Sequence, residues 1–183
     1  MSCGKLIVLL GFFGCFAAVA AGQTGGFDKG AWSLELTGAY IMPIRFSEAK
    51  FYNVNLLASW PIVDHLTIGP EIQGYYVDQP GENAVAAGAG VVGRWHFLTY
   101  KEFSVFVDGG GGVVYADPEV PEFGTHFNFT GKGGFGMTWK IRDEMQLIGG
   151  VRYFHLSNAN IHGRDQNPSF DGVQFYGGVE WRF

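Results

Sequence analysis

The residues best suited to chemistry are a histidine and a serine in the segment His155-Leu156-Ser157-Asn158. The segment alternates like a β-strand, and in a strand residues two apart leave on the same face. A serine hydroxyl beside a histidine, with a carboxylate nearby, can carry out nucleophilic acyl transfer. Asp171 follows within the stretch 167–171 and supplies such a carboxylate. These side chains are candidates for a catalytic site if the fold brings them together.

Composition limits the class of protein and its compartment. With 183 residues, 47% hydrophobic and 16% aromatic, the chain is too apolar to be disordered and long enough for one domain. Its net charge of −5, without a basic run, argues against a nucleic-acid partner. Residues 1–22 predict a cleaved signal peptide, because Lys5 precedes a short apolar run that ends in small residues; a retained anchor helix is the alternative. Cys3 and Cys15 both lie there, so the exported form would contain no cysteine.

The remaining residues, 23–183, show one dominant pattern, a period-two alternation of apolar and polar side chains. This pattern predicts strands with one apolar face. It recurs about eight times in segments of about ten residues, the length that a tilted strand needs to cross a bilayer. The alternating segments are Trp32–Tyr40, Tyr52–Trp60, Leu66–Ile72, Val85–Phe97, Phe103–Tyr115, Phe127–Trp139, Met145–Tyr153 and Val173–Phe183.

The connections between these segments also form a pattern. Aromatic residues cluster at the segment ends, as an interfacial girdle requires, and the chain ends on Phe183. Short turns on one side and long loops on the other are typical of outer-membrane barrels. We therefore predict an eight-stranded antiparallel transmembrane β-barrel over residues 23–183, with a soluble lipocalin-like barrel or sandwich as the alternative. The short connections lie near 61–64, 99–102 and 141–144, and the long ones span 43–50, 78–83, 117–125 and 158–170.

Residue parity predicts where the candidate side chains point. The apolar residues of the seventh segment are odd-numbered, and so are His155 and Ser157, which places both on the lipid-facing wall. The eighth segment has the same parity, which places Asp171 on that wall too, and antiparallel pairing brings the two segment ends together. Polar groups that face lipid are costly and usually functional. The alternative is that these positions lie in the headgroup layer, where a histidine and a serine need no special role.

The segment 152–159, Arg-Tyr-Phe-His-Leu-Ser-Asn-Ala, followed by Asn167-Pro168-x-x-Asp171, resembles the lipid A 3-O-deacylase family of outer-membrane acyl hydrolases. The resemblance covers about the last thirty residues. It implies an eight-stranded barrel with a His-Ser-acid triad on its outer wall. It also implies hydrolysis of the ester-linked acyl chain at the 3-position of lipid A, without a metal or other cofactor.

The same resemblance assigns roles by position. Ser157 corresponds to the nucleophile and His155 to the general base. Asp171 aligns with the family's acidic residue, a glutamate there, and an alternative alignment reaches Gln174, which has the opposite parity and no charge. We therefore prefer Asp171 as the third member of the triad.

The oxyanion hole is also implied by position. Asn167 corresponds to a side-chain amide donor, and Asn158 follows the nucleophile as in the family pattern. A backbone N–H near Asn160 is implied as a further donor. Asn160 stands where the family has glycine, and asparagine tolerates the left-handed backbone region well.

The other motifs favour structural roles. The G-x-G-x-x-G match at 131–136 lies inside a predicted strand, which excludes the dinucleotide-binding context. Five charged residues have polar-face parity and predict an ion-pair network inside a closed barrel. The histidines outside the triad show no metal-ligand spacing. The charged residues are Glu71, Arg94, Asp108, Lys132 and Arg152, and the histidines are His65, His96, His126 and His162.

Three functional hypotheses follow from the sequence. The first is an outer-membrane serine esterase whose partner is the lipid A of lipopolysaccharide in the surrounding membrane. The second is a non-enzymatic outer-membrane barrel for adhesion or envelope structure. The third is a soluble lipid-binding barrel. A homodimer is left open in each case.

Overall fold

The computed structural model describes residues 31–44, 48–161, 163 and 167–183. It confirms the predicted all-β fold: eight antiparallel strands form a closed barrel in which each strand pairs with its sequence neighbours, and β1 pairs with β8. The predicted signal peptide and both cysteines lie outside the described residues. The strands are β1 (Ser33–Pro43), β2 (Lys50–Val63), β3 (Leu66–Asp78), β4 (Ala84–Tyr100), β5 (Phe103–Val120), β6 (Thr125–Arg142), β7 (Met145–Ser157) and β8 (Phe170–Arg182). No helix in this described part of the chain is long and apolar enough to cross a membrane.

The two rims of the barrel differ in the length of their connections, as predicted. Two-residue turns join β2 to β3, β4 to β5 and β6 to β7, and the longer connections lie at the opposite rim. One predicted loop is shorter than expected. The loop predicted over 117–125 contains only residues 121–124, because β5 continues to Val120 and pairs there with Thr125 of β6.

The outer surface of the barrel is apolar. The side chains of Val54, Ile72 and Phe135 point outward and are each more than half exposed. The neighbours of Val54 and Ile72 in sequence are polar and point inward, such as Asn53 and Asn55, which are almost fully buried. An apolar exterior around a polar interior matches a barrel whose surroundings are lipid, and it is the inverse of a soluble lipid-binding barrel.

Charged residues fill the middle of the barrel and form the predicted ion-pair network. Arg152 makes two hydrogen bonds to Asp108, of 2.9 and 2.5 Å. Arg94 Nη1 lies 2.7 Å from Glu35 Oε2. Pairing of this kind is what allows charges to be buried in a barrel that has no aqueous channel. All five predicted residues take part in ion pairs and have almost fully buried side chains: Asp108 contacts both Arg94 and Arg152, and Lys132 pairs separately with Glu71.

The interior near the long-loop rim is apolar instead. Phe51 packs against Phe170 with ring centroids 4.4 Å apart, and Phe154 lies 6.3 Å from Phe170. Leu156 is buried in the same cluster. At the long-loop rim, the inward-facing residues of β7 and β8 are therefore anchored in a packed aromatic core. This packing fixes the backbone from which the candidate site projects.

Candidate active site

The end of β7 presents His155 and Ser157 on the outer wall. The intervening Leu156 and the preceding Phe154 are buried inside the barrel, with 1% and 0% exposure. Because successive strand residues alternate between faces, these two apolar anchors force their neighbours outward. The side chain of His155 is 39% exposed, so the site is open to the surroundings of the barrel.

The register between β7 and β8 places Asp171 directly opposite His155. His155 Nδ1 lies 2.8 Å from Asp171 Oδ1, and His155 Nε2 lies 3.0 Å from Ser157 Oγ. The tautomer that suits both contacts has Nδ1–H donating to the carboxylate and Nε2 accepting from the serine hydroxyl. The predicted trio is thus brought together in the hydrogen-bond order Asp–His–Ser of serine hydrolases.

Tyr153 contributes a contact that the sequence analysis did not include. Its hydroxyl donates a hydrogen bond to Asp171 Oδ1, the oxygen that also accepts from His155. The sequence pattern counts Tyr153 among the apolar residues of the lipid-facing wall. Its odd parity, two positions before His155, is the one signal in the sequence that could have indicated the contact.

A tight turn follows Ser157. The Ile161 N–H donates to the Asn158 carbonyl at 3.1 Å, and the two central residues Ala159 and Asn160 have φ values of 53° and 61°. Two left-handed residues within one hydrogen-bonded turn define type I′ geometry. Asn160 therefore occupies the left-handed conformation that the sequence analysis considered for it. Alanine pays about 1 kcal/mol for such a conformation, so the neighbouring contacts must hold the turn in place.

Those contacts come from three asparagines that hydrogen-bond to one another. The Asn158 N–H donates to Asn167 Oδ1 at 3.0 Å, and the Asn160 N–H donates to Asn158 Oδ1 at 2.9 Å. The Asn167 side-chain amide in turn donates to Asn160 Oδ1 at 3.0 Å. This asparagine network ties the start of the long loop to its end.

The asparagine network differs in one respect from the oxyanion hole implied by the resemblance. The backbone N–H of Asn160, expected to face the oxyanion, donates to the Asn158 side chain instead. The Asn167 amide keeps a second N–H hydrogen beyond the one given to Asn160. Asn158 follows Ser157 in the chain, the other two asparagines are hydrogen-bonded to Asn158, and the roles of all three toward the oxyanion stay predictions.

Gln174, the alternative third member, lies inside the barrel. It is fully buried, and its side-chain amide donates to Asn53 Oδ1 at 3.3 Å. An inward-facing side chain cannot reach His155 on the opposite face of the sheet. The structure therefore brings Asp171, and not Gln174, to the histidine.

Among the described residues, β6 leaves open space on the outer wall beside His155. Gly131 of β6 lies directly opposite His155, and a Cβ added to Gly131 would have nothing within 4 Å. Phe129, also on β6, lies opposite Ser157 and is 38% exposed. A molecule in the membrane can thus approach the serine along the barrel wall, over a surface of glycine and aromatic residues.

The arrangement can support acyl transfer by protein groups. Within the ranges that the structure describes, no three His, Cys, Asp or Glu side chains come together as metal ligands. His162 lies outside those ranges. The hydroxyl, imidazole and carboxylate supply a nucleophile, a base and an orienting group in hydrogen-bond contact.

A comparison with protein families gives a match in keeping with this geometry. The family model described as lipid A 3-O-deacylase (PagL) matches residues 49–180, more than half of the chain. No curated protein matches the sequence.

Solved structures with the same fold come from the outer membrane. The chain is similar to Neisserial surface protein A (NspA), with a TM-score of 0.62 and 13% identity over 84% of this chain and 96% of that one. It is similar to the outer membrane enzyme PagL, with a TM-score of 0.60 and 17% identity over 79% and 97% of the two chains. For OprG from Pseudomonas aeruginosa the TM-score is 0.57, with 12% identity over 86% and 98%. The protein is an eight-stranded barrel of the bacterial outer membrane.

Proposed function

Because this chain belongs to the lipid A 3-O-deacylase (PagL) family, we propose that it is an outer-membrane serine esterase that removes the 3-O-linked acyl chain of lipid A. The observation that carries the proposal is the Asp171–His155–Ser157 hydrogen-bond chain on the outer wall. A triad inside the lumen could not meet a membrane lipid without drawing it out of the bilayer. On the outer wall, the substrate reaches the serine from within its own leaflet.

The first half of the reaction would form an acyl-enzyme. Ser157 Oγ attacks the carbonyl carbon of the ester while its proton passes to His155 Nε2, 3.0 Å away in the resting site. Asp171 orients the imidazole and stabilises its positive charge. The bond between the carbonyl carbon and the sugar oxygen then breaks, and His155 gives the proton to the departing sugar oxygen.

The second half would release the fatty acid. Water attacks the acyl-enzyme carbonyl, His155 takes the water's proton, and Ser157 regains its own. In both halves negative charge develops on the carbonyl oxygen. We assign the second N–H of the Asn167 amide to this oxygen, with Asn158 and Asn160 holding that amide in place. No step in this scheme needs a metal or another cofactor.

The proposal is tested by expressing the protein in the outer membrane of a Gram-negative host and analysing the host's lipid A by mass spectrometry. We expect loss of one 3-linked hydroxyacyl chain, and no loss with Ser157→Ala or His155→Ala. Heat-modifiable gel mobility shows that each variant is folded. Unchanged lipid A in the presence of folded wild-type protein would exclude the deacylase activity and favour a non-enzymatic barrel. Cross-linking in the same membranes tests whether the protein forms a homodimer.

A further inference from the structure

We infer that Tyr153 is a positioning residue of the triad, which holds the Asp171 carboxylate in the orientation that His155 requires. The inference rests on the proposed function, because it assigns a role within the same reaction. Tyr153 and His155 lie two residues apart on the outer face of β7, and both donate hydrogen bonds to Asp171 Oδ1. The carboxylate is therefore held by two donors from one rigid strand.

The surroundings of Asp171 explain why a second donor matters. Its side chain is 26% exposed on the outer wall, where an ionised carboxylate is costly unless hydrogen bonds hold it. Hydrogen bonds to an ionised acceptor are stronger than neutral ones and fix its direction. The Tyr153 hydroxyl supplies one hydrogen bond to the carboxylate and limits the rotation of the Asp171 side chain.

The consequence for catalysis runs through His155. The imidazole carries a positive charge once it has accepted the Ser157 proton, so Asp171 must face Nδ1 at that moment. If the carboxylate turns away, the histidine loses its orientation toward Ser157. Removing the Tyr153 hydroxyl should therefore slow the chemical step while leaving the binding of the acyl chain unchanged, because the phenyl ring remains on the wall.

The test uses Tyr153→Phe in the full-length protein, with Tyr52→Phe as the matched control. Tyr52 is also a tyrosine of the outer wall, 46% exposed against 50% for Tyr153, but it lies on β2, away from the triad. Two rates are measured in purified, folded protein. One is the hydrolysis of lipid A in mixed micelles, as kcat and KM. The other is the labelling of Ser157 by a fluorophosphonate, which binds through phosphorus to Oγ with loss of fluoride.

We expect Tyr153→Phe to lower kcat and the labelling rate by about tenfold, as for the loss of a hydrogen bond to a charged group, with KM within about twofold. Tyr52→Phe should match the wild type. In the background of Asp171→Asn, adding Tyr153→Phe should cause no further loss, because the tyrosine acts through Asp171. Wild-type rates in Tyr153→Phe, or an equal loss in both backgrounds, would overturn the inference.

The two rates separate this inference from the proposed function. If the wild type is labelled at Ser157 but leaves lipid A unchanged, the lipid A assignment fails. The labelling rates then still decide the role of Tyr153. If Ser157 of the folded wild type is not labelled at all, there is no active triad to position, and the inference about Tyr153 falls as well.

Discussion

Among the residues that the structure describes, two histidine–serine pairs are in hydrogen-bond contact, and their surroundings differ. On the outer wall, His155 Nε2 lies 3.0 Å from Ser157 Oγ. Inside the barrel, near the short-turn rim, His96 Nδ1 lies 2.8 Å from Ser104 Oγ. His155 is 39% exposed, whereas His96 and Ser104 are each 3% exposed. Judged by distance alone, the interior pair would be the better candidate.

The partners of each pair explain the difference. His155 uses its second ring nitrogen to contact the Asp171 carboxylate. The interior Ser104 shares its second hydrogen bond with Thr138 at 2.7 Å, and the His96 ring packs against Phe106. The outer pair therefore has a carboxylate to orient it, and the inner pair contacts a hydroxyl and an aromatic ring.

Contact between a histidine and a serine does not by itself define a catalytic site. The interior pair satisfies polar groups that face each other across β4, β5 and β6 in a closed lumen, which is a structural task. The outer pair leaves polar groups on a lipid-facing wall, where a structural task would be better served by apolar residues. Access and the third partner distinguish the two.

The largest expected effect comes from removing each serine in turn. Ser157→Ala should reduce lipid A hydrolysis by at least about a thousandfold, because the nucleophile is lost. Ser104→Ala should retain the wild-type rate within about twofold. Both rates are measured on folded protein by mass spectrometry of lipid A. Loss of activity in Ser104→Ala alone would reverse the assignment of the two pairs.

The next largest effect concerns the third partner. Asp171→Asn should lower kcat by about a hundredfold or more, since the amide no longer stabilises the charged imidazole or selects its tautomer. Gln174→Ala, three residues along the same strand but inside the barrel, should leave the rate within about twofold. Turnover of lipid A under saturating conditions measures both. The opposite ranking would show that the acid was assigned to the wrong residue.

A smaller effect should come from blocking the wall. Gly131→Phe places a ring beside His155, where nothing lies within 4 Å of the new Cβ. We expect a loss of about tenfold, because misplacing a substrate by 1 Å costs up to a hundredfold. Gly38→Phe is the matched control, since Gly38 on β1 has the same open space and lies away from the triad. Equal rates of lipid A hydrolysis in the two variants would argue against approach along the wall.

The smallest effect concerns stability, for which Ser104→Ala should be the more damaging of the two serine substitutions. Ser104→Ala should lower the free energy of unfolding by about 1 kcal/mol, because Thr138 and His96 each lose a buried hydrogen-bond partner. Ser157→Ala should change it by less than about 0.5 kcal/mol, as for exposed positions. Urea unfolding in lipid vesicles provides both values. A larger stability loss in Ser157→Ala would assign the outer pair a structural task.

The sequence predicted the barrel and the faces of its strands because a membrane leaves little choice. In a barrel surrounded by lipid, apolar residues of the alternating pattern such as Val54 and Ile72 must face outward. The same alternation, followed along β7, places His155 and Ser157 on the outer wall. Antiparallel pairing then brings Asp171 to the same rim. What could not be predicted depends on contacts distant in sequence. The asparagine network joins both ends of a long loop, and no local pattern encodes it.

The sequence pattern also did not predict the length of β5 or the role of the Tyr153 hydroxyl. The loop was predicted to start at residue 117, but β5 continues to Val120 through Pro118, a residue type that strands seldom contain. The apolar ring of Tyr153 concealed its hydroxyl, because the pattern that assigns faces treats tyrosine as a membrane-facing residue. Tyrosine has both an apolar ring and a polar hydroxyl, and the alternation pattern counts only the ring.

In the proposed reaction, Ser157 on the outer wall attacks the ester of lipid A. The most direct measurement is the mass of the purified protein and its peptides after acid quenching during turnover of lipid A, with Ser157→Ala beside the wild type. We predict that the Ser157 peptide of the wild type gains the mass of one acyl group as lipid A loses that chain, and that neither change occurs in the variant. Loss of the acyl chain at equal rates with both proteins would contradict the claim.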